Sequence, residues 1–248
     1  MLRKREIVFS QSENKRLNIN NGSLFHGFLM ENLSSQMADY LHTQGLRPFS
    51  QYLRFSREEN RWIWTIGTLD EGIDREMERI LSENSMINLK NKDMLLEIDH
   101  IRSYPTLSYK DLTRKVYSES GSRDVTITFH TPCSFKISGN NVNLPEIGFI
   151  YNNLLNKWNS FAKEVSIDDK DAIDHIIQNT YVSDFNIKGN SYSLESTRKK
   201  GFTGKIKLKL KGPDPLVSLC NLVFSFAEYS GIGSSTALGM GGISVEFK

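Results

Sequence analysis

GIGSSTALGMGGISVEFK, residues 231–248, sets five glycines between an apolar run and a strand-like tail. The run before it, Pro215 to Ser230, predicts a helix stopped at Gly231, and Ile243 to Phe247 predicts a closing strand. Glycine permits φ > 0 and carries no Cβ, so such a loop can bring backbone N–H groups against a ligand. An anionic backbone such as RNA phosphate is the natural guest, and Ser234, Ser235 and Thr236 add hydroxyl donors. The spacing G-x-G-x5-G-x-G is not a dinucleotide fingerprint, which follows a strand and opens a helix. It is not a P-loop, because no GK[ST] follows. The plain alternative is a flexible turn between helix and strand.

Working back from this loop, the preceding elements read as a pattern that occurs twice. Arg5 to Phe9 predicts a strand. Ser23 reads as an N-cap, followed by Leu29, Leu33 and Met37 at helical spacing with Phe25 and Phe28 widening the stripe. Ser34-Ser35 is a possible restart, giving a second short helix from Gln36 to His42. Gln51 to Phe55 and Arg61 to Gly67 flank a polar turn and read as a hairpin. Asp74 to Leu81 predicts a helix and Leu95 to Tyr104 a strand. The order is βαββαβ, the ferredoxin-like plan. Pro105 to Arg123 is the candidate linker. The order then recurs: a strand at Asp124 to Phe135, a helix at Pro145 to Val165 and an inserted helix at Asp171 to Asn179. A hairpin of Val182 to Leu194 with Phe202 to Leu210 follows, then the final helix and strand. The expected fold is α+β, two tandem ferredoxin-like domains at 1–105 and 123–248 with a linker at 106–122.

The composition is that of an ordinary globular chain. Its 248 residues are 38% hydrophobic and 24% charged, with a net charge of +2. That charge is too small to identify a nucleic-acid binder, so such a reading rests on clustering. Cys133 and Cys220 lie far apart with no CxxC, which fits buried thiols in a reducing compartment. The first residues are basic but lack a following apolar segment, and no apolar run reaches about eighteen residues, so a cytoplasmic protein with no membrane contact is expected.

Charge clusters in the second hairpin. Arg198, Lys199 and Lys200 are placed at its turn, and Lys205, Lys207, Lys209 and Lys211 follow at every second position. Period two puts those four on one sheet face, with Ile206, Leu208 and Leu210 on the other. The plain alternative is a solvated strand face; the other is a polyanion site with strong salt dependence. The histidines are His26, His42, His100, His130 and His175. No HExxH or Cys/His cluster is present, so no metal or cofactor is expected. His100, His130 and His175 read as structural. In one continuous helix, His26 and His42 would stand about 24 Å apart; a break at Ser34-Ser35 would bring them closer.

Together these residues resemble the CRISPR repeat-processing endoribonuclease, the sixth-numbered family of CRISPR-associated proteins in the RAMP superfamily. The loop in EYSGIGSSTALGMGGI matches the superfamily's C-terminal glycine-rich signature. HGFLMENL at 26–33 and ADYLHTQGLRPFS at 38–50 resemble the family's first helix and its histidine-bearing segment. The HGFLME version resembles forms from type III-A systems. The resemblance implies metal-independent cleavage of CRISPR precursor RNA within repeats: the 2′-hydroxyl attacks the adjacent phosphorus, leaving a 2′,3′-cyclic phosphate and a 5′-hydroxyl. It implies His42 as the first choice for acid or base and His26 as the second. A helix C-terminus would favour imidazolium at His42 and an N-terminus would disfavour it at His26. Arg47 lies near the family's catalytic lysine. Met30 replaces the family's first-helix tyrosine, with Tyr40 a possible substitute. The resemblance assigns repeat RNA to Arg198, Lys199, Lys200, Lys205 and Lys207, and to Gly231, Gly233, Ser234, Ser235, Gly239 and Gly241. A type III effector complex is an implied transient partner. The alternatives are a non-catalytic RNA-binding subunit of the same superfamily and a small-ligand sensor or enzyme with a concave apolar pocket.

Overall fold

The computed structural model describes residues 1–43, 45–194 and 197–248. Its two main sheets share one plan. The first half contributes β1 (Arg3–Phe9), α1 (Gly22–Asn32), α2 (Ser35–Thr43), β2 (Phe49–Ser56), β3 (Arg61–Thr68), α3 (Glu71–Glu83), β4 (Met86–Leu89) and β5 (Met94–Ser103). Its sheet runs β2-β3-β1-β5-β4. The second half contributes α4 (Tyr109–Ser118), β6 (Asp124–Cys133), β7 (Phe135–Ile137), β8 (Asn140–Val142), α5 (Ile147–Phe161), α6 (Lys170–Gln178), β9 (Thr180–Leu194), β10 (Thr197–Leu210), α7 (Asp214–Ser230) and β11 (Ile243–Phe247). Its main sheet runs β11-β6-β10-β9. In each sheet the first strand is flanked by the third and the fourth, which is the ferredoxin-like order, and every pairing is antiparallel. β4 extends the first sheet, and β7 with β8 forms a small separate hairpin.

Each half has its own apolar core. One gathers Ile7, Phe25, Leu29, Trp64, Ile73, Met77 and Leu96; the other gathers Ile127, Leu154, Trp158, Ile206, Val223 and Phe226. The break in the first helical region is real. Ser34 donates from its N–H and hydroxyl to the Glu76 carboxylate at 3.2 and 2.9 Å, tying the break to α3, while its Oγ faces the Met37 N–H at 3.4 Å.

Several expectations change. Ser23 does not cap α1: it is buried within the first turn, and Asn18 instead caps the 3-10 turn Ile19–Asn21 that leads into the helix. α3 begins earlier than expected because Asp70 accepts from the N–H groups of Gly72 and Ile73. Pro145 lies outside α5, whose cap position is Glu146. The span 106–122 is no bare linker. It carries α4, opened by a Ser108/Asp111 capping box, and Tyr109, Leu112 and Val116 pack into the second core. Arg198, Lys199 and Lys200 are in β10 itself, paired with Ser193, Tyr192 and Ser191; part of the turn beyond them lies outside the described residues. Among the described residues, no helix is long and apolar enough to cross a membrane.

Candidate functional site

The glycine loop lies in the seam between the halves. Gln51 of β2 donates through Nε2 to the Gly22 carbonyl at 2.8 Å and the Ala237 carbonyl at 3.0 Å, and Trp64 Nε1 donates to Gln51 Oε1 at 2.9 Å. This fully buried amide therefore joins β2, the start of α1 and the loop. Tyr192 of β9 adds a hydroxyl bond to the Leu238 carbonyl at 3.1 Å. From the other side, α5 holds the loop with two residues on one helix face. Asn153 accepts from Gly233 N–H at 2.8 Å, and Lys157 Nζ donates to the carbonyls of Ser230 and Gly231 at 3.1 and 3.0 Å.

These contacts explain the glycines. A Cβ on Gly239, at φ +100°, would stand 2.2 Å from the Tyr192 hydroxyl and 2.9 Å from the Gly22 Cα; one on Gly242 would stand 2.1 Å from the Tyr52 ring. Gly231, Gly233, Gly239 and Gly241 are buried. Their N–H groups bond to the Ala227 carbonyl, Asn153 Oδ1, and the Thr236 and Pro132 carbonyls, respectively. The idea of bare glycine amides facing a polyanion is therefore corrected: the missing Cβ lets Gly231, Gly233 and Gly241 pack closely within the second half and lets Gly239 approach Gly22 of the first. Ser234 and Ser235 remain partly exposed, and Lys199 Nζ donates to Ser235 Oγ at 2.7 Å. Lys199 is thereby brought to the outer rim of the loop.

His26 reaches the same seam. It is half-buried in α1, and its ring lies parallel to Phe49 at 6.0 Å. Burial pushes its pKa down to about 4; the Arg47 cation pushes the same way, and a hydrogen bond with the Ala237 backbone opposes both. The direction matches the expectation for a helix start, but the causes are burial and Arg47 rather than the helix. Its Nδ1 is buried with no hydrogen-bond partner among the described residues. Arg47 also donates from Nη1 to the carbonyl of Leu41, in the last turn of α2, which fixes its place beside the adjoining His42. His42 is exposed. Neither imidazole is sealed in the interior.

Tyr40 does not join this group by position. Two residues before His42, it lies about 200° around the helix from it. It packs on the first core and lines a groove of about 500 Å³ with Asp70, Arg75 and Lys163. The lysine stripe also opens elsewhere. Lys205, Lys207 and Lys209 alternate exposed with buried Ile206 and Leu208, as the period required. The face is not uniformly cationic, because Lys207 pairs with Asp184 at 2.6 Å and Lys209 with Asp124 at 3.5 Å. Lys205 acts on His130, together with Arg54 and Lys4, and burial leads these in lowering that histidine's pKa to about 4. His130 stacks on Tyr52 and bonds Ser244, a structural role between the sheets. Among the described residues, no cluster of His, Cys, Asp or Glu could hold a metal ion.

Sequence reasoning missed Gln51, Asn153, Lys157 and Phe49. Each is a single residue in an ordinary strand or helix pattern, and only the joining of the two halves gives it meaning.

Comparison with known proteins agrees with this architecture. The family model described as CRISPR-associated endoribonuclease Cas6 matches residues 127–243. A Streptococcus thermophilus protein named CRISPR-associated endoribonuclease Cas6 is 29% identical over 224 residues, 90% of each chain. A Mycobacterium tuberculosis protein of the same name is 26% identical over 227 residues, 91% of this chain and 71% of that one. A solved Cas6 product complex superposes with a TM-score of 0.80 at 20% identity, over 99% of both chains. A Cas6-related protein from Pyrococcus furiosus superposes at 0.63 with 10% identity, covering 99% of this chain and 98% of that one. At such identities the structural likeness is one of fold. The family model over the second half and the curated relatives over nine-tenths of the chain agree: this chain is similar to the Cas6 CRISPR-associated endoribonucleases.

Proposed function

We propose that the chain is an endoribonuclease that cuts CRISPR precursor RNA within its repeats, by attack of a 2′-hydroxyl on the adjacent phosphorus. The products are a 2′,3′-cyclic phosphate and a 5′-hydroxyl end. The nucleophile belongs to the substrate, so the protein has to supply orientation, a base, an acid and positive charge. Neutral His26 suits the base, exposed His42 the acid, and Arg47 the charge that develops on the phosphorane. No divalent ion enters this chemistry. Lys199 at the loop rim, and Arg198 and Lys200 on either side of it in β10, would hold phosphates, while Lys205 and Lys207 hold a more distant part of the strand. Ser234 and Ser235 would contact RNA with their hydroxyls. The reading includes origin in a type III-A system and a passing contact with its effector complex.

The observation that carries the proposal is the junction of His26, Arg47 and the end of α2 against the loop: Arg47 acts on His26 and bonds Leu41, next to His42. A purely RNA-binding subunit would not need an imidazole there with its proton removed at neutral pH. The test is repeat RNA incubated with the protein in EDTA. Cleavage with a cyclic phosphate product, abolished by a single 2′-deoxy nucleotide at the cut site, is the expected result. Cleavage that requires magnesium, or that survives the 2′-deoxy substitution, overturns it.

A further inference from the structure

Two residues of α3 bridge the break between α1 and α2. Arg79 donates from Nη2 to the carbonyl of Asn32, the last residue of α1, at 2.6 Å. The same nitrogen donates to Glu76 Oε2 at 2.9 Å. That oxygen accepts from the N–H of Ser34, the residue before α2, at 3.2 Å, and the second carboxylate oxygen accepts from the Ser34 hydroxyl at 2.9 Å. A continuous run of hydrogen bonds therefore joins the end of one helix to the start of the next. It passes around Leu33, whose extended backbone (φ −67°, ψ 148°) turns the chain.

Helix ends leave carbonyls at the C-terminus and N–H groups at the N-terminus without partners inside the helix. Here the Asn32 carbonyl meets a cation and the Ser34 N–H an anion, the sign that each helix end favours. Glu76 takes the N-cap N–H of α2, a task that a capping box gives to a residue of the same helix. Burial works to raise the Glu76 pKa, but the bonds from Arg79 and from both Ser34 donors outweigh it and leave it lowered. The base of the bridge is firm: Asp70 caps α3, and Ile73, Met77 and Ile80 seat it in the first core. α2 has little else to orient it. It has nine residues and one buried side chain, Leu41, whereas isolated helices shorter than about 12 residues are marginal. Met37 and Tyr40 are only half-buried, and its far end is held through Arg47 and the Leu41 carbonyl. Helix geometry puts His42 about 10 Å along α2 from the break. At that distance a tilt of about 10° moves the ring by about 2 Å, and a misplacement of about 1 Å can cost about 100-fold in rate.

We propose that Glu76 and Arg79 are positioning residues for RNA cleavage: by bridging the two helix ends they set the angle between α1 and α2, and so the place of His42 relative to His26. The inference rests on the reading of those two imidazoles as acid and base. Neither α3 residue acts on RNA directly. Both work through the backbone that carries the histidines.

The test is single-turnover cleavage of repeat RNA by the full chain at saturating protein, with affinity measured separately on RNA carrying a 2′-deoxy nucleotide at the cut site. Arg79→Met keeps the side-chain stem and removes both bonds. It should slow the rate constant by about tenfold or more while affinity stays within about twofold. Glu76→Ala should do the same from the other side of the bridge, and it carries the test should Arg79→Met fail to fold, as circular dichroism can verify. The exchanged pair, Glu76→Arg with Arg79→Glu, separates two roles. It keeps opposite charges one turn apart on α3, so a merely stabilising pair is restored. It also sets a cation against the Ser34 N–H and a carboxylate against the Asn32 carbonyl, so a bridge between helix ends stays broken and cleavage stays slow. Wild-type rates in the folded single variants overturn the inference, as does recovery of the rate in the exchanged pair, or a loss confined to affinity. In each of those cases the wild type still cuts, and the endoribonuclease reading stands. A wild type that cuts no repeat RNA overturns that reading and this inference together.

Discussion

The imidazole of His26 lies parallel to the ring of Phe49, with 6.0 Å between centroids and 15° between planes. Phe49 opens β2, two residues before the Gln51 amide that joins α1 to the glycine loop. The strand that knits the halves together thus also holds the histidine against the loop.

This packing makes the protein sensitive to acid. His26 and His130 are both depressed from 6.5 to about 4 in the folded state. Between those values the unfolded chain binds protons that the folded chain does not, so stability falls as pH drops from about 6.5 to 4. The loss is at most about 3 kcal/mol for each ring. Urea unfolding across this range should show the decline, and His130→Gln should remove about half of it.

Chemistry at the junction separates the imidazoles from simple binding. His26→Ala and His42→Ala should each slow single-turnover cleavage by about 10²- to 10⁴-fold while leaving repeat-RNA affinity nearly unchanged. Full activity in both would remove these rings from the mechanism. Arg47→Ala should slow cleavage and also raise the pKa of His26, because a cation beside it is removed; NMR titration of the ring reads that shift directly.

Loop packing predicts a paired effect at Gly239. The alanine variant meets the Tyr192 hydroxyl and requires a side chain at φ +100°, a combination expected to cost about 2 kcal/mol or more. Tyr192→Phe added to it relieves the hydroxyl clash, leaving the positive φ and the 2.9 Å approach to Gly22 Cα. Thermal melting should show the double variant to be more stable than Gly239→Ala alone.

Lys157 is the loop's buried anchor, and burial pushes its pKa down to about 7. Lys157→Met removes the ammonium donor from the Ser230 and Gly231 carbonyls, leaving Gly231 only the Ser230 hydroxyl. A loss of about 1–3 kcal/mol is expected in denaturant titrations, with slower cleavage as Ala237 loosens from His26. An unchanged rate would separate the loop from catalysis.

RNA binding should depend on salt through the hairpin cations. Charge reversal at Lys199, Lys200 and Lys205 should reduce the slope of log affinity against log salt by about one unit for each phosphate the protein no longer neutralises. An unchanged slope in filter binding would mean these lysines are merely solvated.

Much of the architecture was legible in local pattern. Period-two alternation located β10 and placed Lys205, Lys207 and Lys209 outside and Ile206 and Leu208 inside. The doubled strand and helix order gave two ferredoxin-like sheets. The polar pair Ser34-Ser35 marked the break between α1 and α2. Where local pattern was weak it failed: polar α4 read as linker, because its apolar face is only three residues wide.

The sequence by itself determined the elements, their doubled order and the likeness to the Cas6 endoribonucleases, since these follow from short-range periodicity and from contiguous motifs. Only the tertiary structure decided what the glycines do. Whether a loop amide faces solvent or a buried acceptor depends on chain segments far apart in sequence, as the bonds from Gly233 to Asn153 and from Gly241 to Pro132 show. The same holds for His26, whose lowered proton affinity comes from burial beneath that seam and from the Arg47 charge, neither of which has a local signature.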